Sequence, residues 1–93
     1  MSGAEETPKV VILGKAGCHL CELVEAEIRS MIVAGTSLSV IDIDQDPELH
    51  DRYWQRIPVV TVDGGEVFEA RMMDQEGRWK QRVPQLLRTP AKT

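Results

Sequence analysis

Gly14-Lys15-Ala16-Gly17-Cys18-His19-Leu20-Cys21 is the stretch that decides how this 93-residue chain is read. It holds the only two cysteines, spaced C-x-x-C. Before it runs an apolar segment, Val10-Val11-Ile12-Leu13; after it, Leu20, Val24, Ile28, Met31 and Ile32 recur at helical spacing, with Glu22, Glu25, Glu27 and Arg29 on the other face. A strand, a short glycine-containing loop and a C-x-x-C that opens a helix form the layout of a dithiol redox site.

The chemistry explains why the cysteines belong at that point. A thiol attacks a disulfide as its thiolate, and free cysteine, with a pKa of about 8.5, is mostly protonated at neutral pH. The first turn of a helix offers unpaired amide N–H groups and the positive end of the helix dipole, both favourable to an anion. Cys18 is therefore the expected nucleophile. Cys21, one turn further in on the same side, is the expected resolving thiol. Lys15 and His19 add positive potential beside Cys18, and Glu22 opposes it. The identity of the intervening pair His19-Leu20 bears on redox poise.

Outward from this stretch, the rest of the chain reads as one domain. Lys9 to Leu13 is a strand without polar alternation, as suits a central strand covered on both faces. The helix after the cysteines is expected to stop near Gly35. Leu38 to Ile43 is a second strand, and Asp46-Pro47-Glu48 is a helix start with Asp as N-cap and Pro in the first turn. That helix ends by Arg56, because Pro58 biases Ile57 away from helical geometry. Val59 to Val62 is a third strand, Asp63-Gly64-Gly65 a hairpin turn and Glu66 to Phe68 its return. A last helix is expected from Met72 to Leu87, weakened by Gly77 and broken or kinked at Pro84. The order β-α-β-α-β-β-α implies a four-stranded mixed sheet flanked by helices, an α/β fold spanning residues 9–88. Residues 1–8 and 89–93 are read as flexible ends.

Three further runs extend the pattern. K-A-G-C-H-L-C, V-I-D-I-D-Q-D-P-E-L and R-Y-W-Q-R-I-P-V-V followed by V-D-G together closely resemble the small glutaredoxin-like proteins of the thioredoxin superfamily, whose redox motif is often C-x-L-C. The likeness covers roughly residues 9–68. The resemblance implies a thioredoxin fold and a thiol–disulfide exchange activity with Cys18 attacking and Cys21 resolving. It also implies a cis peptide bond before Pro58. Lys15, His19, Leu20, Ile57 and Pro58 are then expected on the substrate side of the site. Typical glutaredoxins hold glutathione with a Gly-Gly followed closely by Asp at the start of the last helix. Here Gly64-Gly65 belongs to the hairpin, and Asp74 stands near that helix without the glycines.

Composition and charge bound the alternatives. Hydrophobic residues make up 42% and charged residues 28%, enough for one core and a solvated surface. No apolar run approaches the ~20 residues that span a bilayer, and the acidic N-terminus has no secretory pattern, so a cytoplasmic protein with no membrane partner is expected. In a reducing compartment two cysteines at this spacing are not a structural staple. The net charge of −4 conceals a basic C-terminal segment, +4 over residues 71–93. Its cations are scattered and lack interleaved aromatics beyond Trp79, so no nucleic-acid partner is expected. Nor is a resident cofactor or metal: one C-x-x-C with His19 or His50 falls short of the four ligands of a structural zinc site. The expected partners of this monomer are a disulfide-containing protein or a low-molecular-weight thiol, with glutathione or a similar thiol as reductant. The alternatives are a non-catalytic interaction module that kept the fold, or a metal-binding protein.

Overall fold

The computed structural model describes residues 8–32 and 36–88; the expected flexible ends lie almost wholly outside these. The first helix stops at Met31, with Ile32 already extended, short of the stop expected near Gly35, a residue outside the described ones. Strand β1 (Lys9–Gly14) leads into helix α1 (His19–Met31), followed by β2 (Ser37–Asp42), helix α2 (Pro47–Tyr53), the hairpin β3 (Val59–Val62) and β4 (Gly65–Glu69), and helix α3 (Trp79–Arg88). The four strands lie in the order β2-β1-β3-β4. β1 pairs parallel with β2, which requires the crossover through α1, and antiparallel with β3. The thioredoxin-like architecture expected from the sequence is thus the one adopted.

Alternation along the central strands divides the core into two. Val10, Ile12, Val60 and Val62 point to one face, where Val24 and Ile28 of α1 and Trp79 and Val83 of α3 close over them together with Phe68. Leu13 and Val59 point to the other face and pack with Ile43 and Tyr53, with Val11, Leu49 and Ile57 partly buried against them. Burial of each large apolar side chain contributes about 1.5–3 kcal/mol, so every central-strand residue that both layers enclose stabilises one layer or the other.

The helix starts follow from their caps. Asp46 accepts a hydrogen bond from the Glu48 amide at 2.9 Å, with Pro47 in the first turn, and α2 begins there as expected. It ends at Tyr53, and a tight turn delivers the chain to Ile57-Pro58, whose peptide bond is cis, as the resemblance implied. The hairpin turn is the two-residue pair Asp63-Gly64, both with positive φ (53° and 88°), and Gly65 already belongs to β4.

The second strand and the last helix also differ from their expected limits. β2 ends at Asp42 rather than Ile43; Ile43 opens a short 3-10 turn and is fully buried. The last helix begins at Trp79, not Met72. Residues Ala70–Met72 form a 3-10 turn, and Gly77 takes φ +81° in the loop that follows. Both carboxylate oxygens of Asp74 then capture amides, Arg78 N–H at 3.0 Å and Trp79 N–H at 2.8 Å, which sets the first turn of α3. Gly77 therefore precedes the helix instead of weakening it, and α3 continues through Pro84 to Arg88.

Candidate functional site

The register of β1 and β3 fixes one end of the sheet as the place to look. Leu13 pairs with Val59, so the last residue of β1, Gly14, and the residue before β3, Pro58, meet at the same end. From Gly14 the chain turns through Lys15-Ala16-Gly17. The Cys18 amide donates to the Lys15 carbonyl at 3.3 Å, and Gly17 takes φ +80°, a conformation with little penalty for glycine. Cys18 emerges extended (φ −89°, ψ 107°) as the N-cap of α1, and its carbonyl accepts the first helical bond, from Glu22 N–H at 3.1 Å.

The two sulfurs are joined in a disulfide, with Cα atoms 5.2 Å apart. Their surroundings differ. Cys18 is half-buried, while Cys21 is 8% exposed. The Cys21 amide donates to Cys18 Sγ at 3.1 Å, so the capping acceptor of α1 is a sulfur rather than a carboxylate or hydroxyl. This is the N-terminal amide and dipole environment that favours a sulfur anion.

Gly14 has a role that the sequence did not reveal. A Cβ at that position would lie 3.0 Å from Cys21 Sγ and 3.1 Å from Cys21 Cβ. The glycine makes room for the buried sulfur; the only sequence signal was a glycine ending an apolar strand. A hollow of about 290 Å³ adjoins it, lined by Gly14, Lys15, Gly17, Cys21, Val40 and Ile41 among others. A larger one, about 380 Å³, lies at the opposite end of the molecule between Pro8, Met31, Thr36 and Leu87 and is unrelated to the cysteines.

The other expected residues fall as follows. His19 and Leu20 are exposed on the first turn of α1, Leu20 at 44%. Lys15 lies in the loop with its ammonium 3.9 Å from Asp44, both half-exposed, so part of its charge is offset before it acts on Cys18. Pro58 is buried, and Ile57 packs partly against the second core cluster. Tyr53 and Trp79 are core residues, whereas Trp54 is exposed and stacks on His50 with ring centroids 6.3 Å apart. Asp42 and Asp46 each accept an amide as local caps. Among the described residues, no three His, Cys, Asp or Glu side chains gather into a metal-binding group.

Arg56, in the turn that follows α2, has a bracing role. It pairs with Glu66 and, at 3.1 Å, with Glu69 on β4, while Tyr53 Oη donates to Glu66 at 3.1 Å. The Ala70 amide also donates to the Arg56 carbonyl at 3.1 Å. The turn before Pro58 is thereby braced against β4. The hydrogen bond from Arg56 is the main reason the Glu66 carboxyl lies below the usual carboxylate range; Arg71 and then Arg56 do the same for Glu69.

A four-stranded mixed sheet with a C-x-x-C disulfide at the start of α1 and a cis-proline at the facing strand end defines a thioredoxin-type protein with a dithiol site. More narrowly, the chain belongs to the Glutaredoxin-like domain (DUF836) family, whose profile matches residues 9–92. Among solved structures, protein Ne2328 from Nitrosomonas europaea is 30% identical, with a TM-score of 0.63 over 87% of this chain and 98% of that one. The holo form of glutaredoxin C1 from Populus tremula × tremuloides is 20% identical, TM-score 0.58, over 95% and 83%. A mutant thioredoxin from Halobacterium salinarum NRC-1 is 18% identical, TM-score 0.55, over 90% and 78%. The last two likenesses speak for the fold alone. No curated protein matches the chain. The family and the Cys18–Cys21 pair together fit a thiol redox role.

Proposed function

We propose that the protein is a thiol–disulfide oxidoreductase in which Cys18 attacks and Cys21 resolves. The observation that carries this reading is the asymmetry of the pair: a half-buried sulfur that receives a helix-start amide, bonded to an 8%-exposed partner one turn inside.

In the reductive direction, Cys18 thiolate attacks one sulfur of the substrate disulfide. The substrate S–S bond breaks, and its other sulfur leaves as a thiolate that takes up a proton. Cys21, as its thiolate, then attacks Cys18 Sγ; the mixed disulfide breaks and the second substrate thiol leaves. Two electrons and two protons pass to the substrate, and the protein is left with the Cys18–Cys21 disulfide. Two equivalents of a low-molecular-weight thiol, glutathione or another, restore the dithiol. Lys15, His19, Leu20, Ile57 and Pro58 border the approach to Cys18.

The reduced protein mixed with a peptide disulfide tests both assignments. The Cys21→Ser variant should accumulate a mixed disulfide at Cys18, seen by mass spectrometry. The Cys18→Ser variant should trap none and release thiol at least about a thousand-fold more slowly than wild type, in keeping with removal of a nucleophile. A trapped adduct on Cys21 instead would reverse the roles. Thiol release no faster from wild type than from a combined Cys18→Ser, Cys21→Ser variant would leave a non-catalytic module.

A further inference from the structure

Two adjoining surface features run from beside the C-x-x-C to the arginines around the start of α3. The first is an apolar groove beside the C-x-x-C. Leu20, between the two cysteines, and Leu23 are 44% and 38% exposed on α1. They form one wall; Met73, Trp79 and the exposed Lys80 line the other side. The second is a hollow of about 330 Å³ that shares Asp74 and Trp79 with the groove and is bordered by Arg71, Arg78 and Arg82.

That hollow is net positive because three guanidinium groups border it against the single carboxylate of Asp74. Both oxygens of Asp74 accept backbone amides. Desolvation pushes the Asp74 carboxyl up, yet hydrogen bonds from the Arg78 and Trp79 amides, together with those to the Glu76 side chain and its own backbone amide, outweigh it and hold the group below the usual range. Glu69 is shared between Arg56 and Arg71. Arg78 and Arg82 are exposed, and among the described residues neither has an ion-pair partner. Guanidinium groups grouped in this way match carboxylates in geometry and charge. The surrounding chain is net acidic, so the patch also stands out in the protein's field.

We infer that Arg71, Arg78 and Arg82 form a carboxylate-reading subsite that selects protein disulfides flanked by apolar and then acidic residues. The substrate's apolar side chain occupies the groove at Leu20 and Leu23 while its disulfide faces Cys18. Its acidic residues extend past Lys80 to the arginines. This assigns the substrate class of the proposed oxidoreductase and rests on that reading; the docking itself requires no chemistry.

Two matched synthetic peptides, each carrying a mixed disulfide next to leucines, test the inference, one ending in glutamates and the other in lysines. At low ionic strength wild type should reduce the glutamate peptide with a kcat/KM at least about tenfold higher, a preference that salt erodes. The combined Arg78→Glu, Arg82→Glu variant should lose or invert that ratio. A variant that merely folds poorly lowers both rates and leaves the ratio unchanged, which would count against the subsite. Serine analogues of the same peptides, titrated against wild type and variant by tryptophan fluorescence and NMR shifts, give a readout without turnover. Arginine-dependent binding of the glutamate analogue by a protein that reduces neither peptide would sink the redox reading and keep the subsite. Equal binding and equal reduction of the two peptides would overturn the subsite.

Discussion

Helices α1 and α3 begin in the same physical predicament and resolve it differently. Each has a first turn with amides lacking helical partners. At α3 a permanent carboxylate, Asp74, takes two of them at 2.8 and 3.0 Å. At α1 a single sulfur takes one, at 3.1 Å. Sulfur is a weak acceptor, so α1 forgoes part of the stabilisation that α3 obtains. In return its N-terminus is capped by a group that can itself become the anion. One helix start is closed and structural; the other is left open to chemistry. α2, capped by Asp46, follows the structural solution. Among the three α-helices, aspartates hold two of the starts, and a cysteine at the third is the departure to which a functional reading attaches.

The comparison breaks most sharply at Gly14. A methyl there meets the Cys21 sulfur at 3.0 Å and its Cβ at 3.1 Å, and Cys21 cannot give way while bonded to Cys18. Gly14→Ala should destabilise the oxidised protein by about 1–3 kcal/mol, the usual range for overpacking. The reduced protein, in which the sulfur can rotate, should lose less. Urea midpoints of both forms measure this. No glycine or close approach of that kind guards Asp74, so the equivalent sensitivity to oxidation state is absent from changes at α3.

The next effect in size separates the two caps. Asp74→Ala removes both acceptors at α3 and should shift the folding equilibrium by roughly fivefold, as typical cap deletions do. Reaction of Cys18 with a small disulfide should change by less than about twofold, the two caps having no shared partner. Cys18→Ser should do the opposite: serine is a good N-cap, so stability of the reduced protein is kept while reaction with the disulfide is lost. Unfolding curves read beside thiol-release rates for both variants check the crossing. If Asp74→Ala slowed thiol release as much as it lowered stability, the division between a structural and a chemical helix start would fail.

The sequence exposed one of these starts and hid the other, for physical reasons. Cys18 was legible because the cysteines, the glycine turn and the apolar spacing of Leu20, Val24 and Ile28 agree, each reinforcing the same boundary. Asp46-Pro47 was legible because cap and first-turn proline are adjacent. Asp74 was not, because its carboxylate reaches amides four and five residues on, across a left-handed Gly77, which no local pattern encodes. The sheet followed from strand spacing, and its two-sided core from the lack of alternation in Val10 to Leu13. The brace from Arg56 to Glu66 and Glu69 was hidden for a related reason: it joins residues ten and more apart across the hairpin. Gly14 was seen as a turn residue because its contact partner, Cys21, lies in a different element.

Acid offers the gentlest way to sharpen the contrast, since it titrates carboxylates and spares the sulfur cap. Glu66 and Glu69 have folded pKa values depressed by Arg56 and Arg71, and Asp74 by its amides. Such groups bind fewer protons folded than unfolded, so their stabilisation is complete above the ordinary carboxylate range and is lost as pH falls through the lowered folded values. The Arg56 shift is upward and lies far above this window, so Arg56 stays charged throughout. Side-chain exposure of Arg56 and Glu66, 34% and 39%, screens the pair, which limits the brace to at most about 1 kcal/mol. Urea midpoints taken at neutral pH and below the carboxylate range should therefore converge partly between wild type and Arg56→Gln, because acid has already removed what the substitution removes. They should also converge between wild type and Asp74→Ala. Cys18→Ser, whose cap carries no titrating carboxylate, should run parallel to wild type over the same range; a convergence there would mean that the α1 start depends on the acidic groups around it rather than on its sulfur.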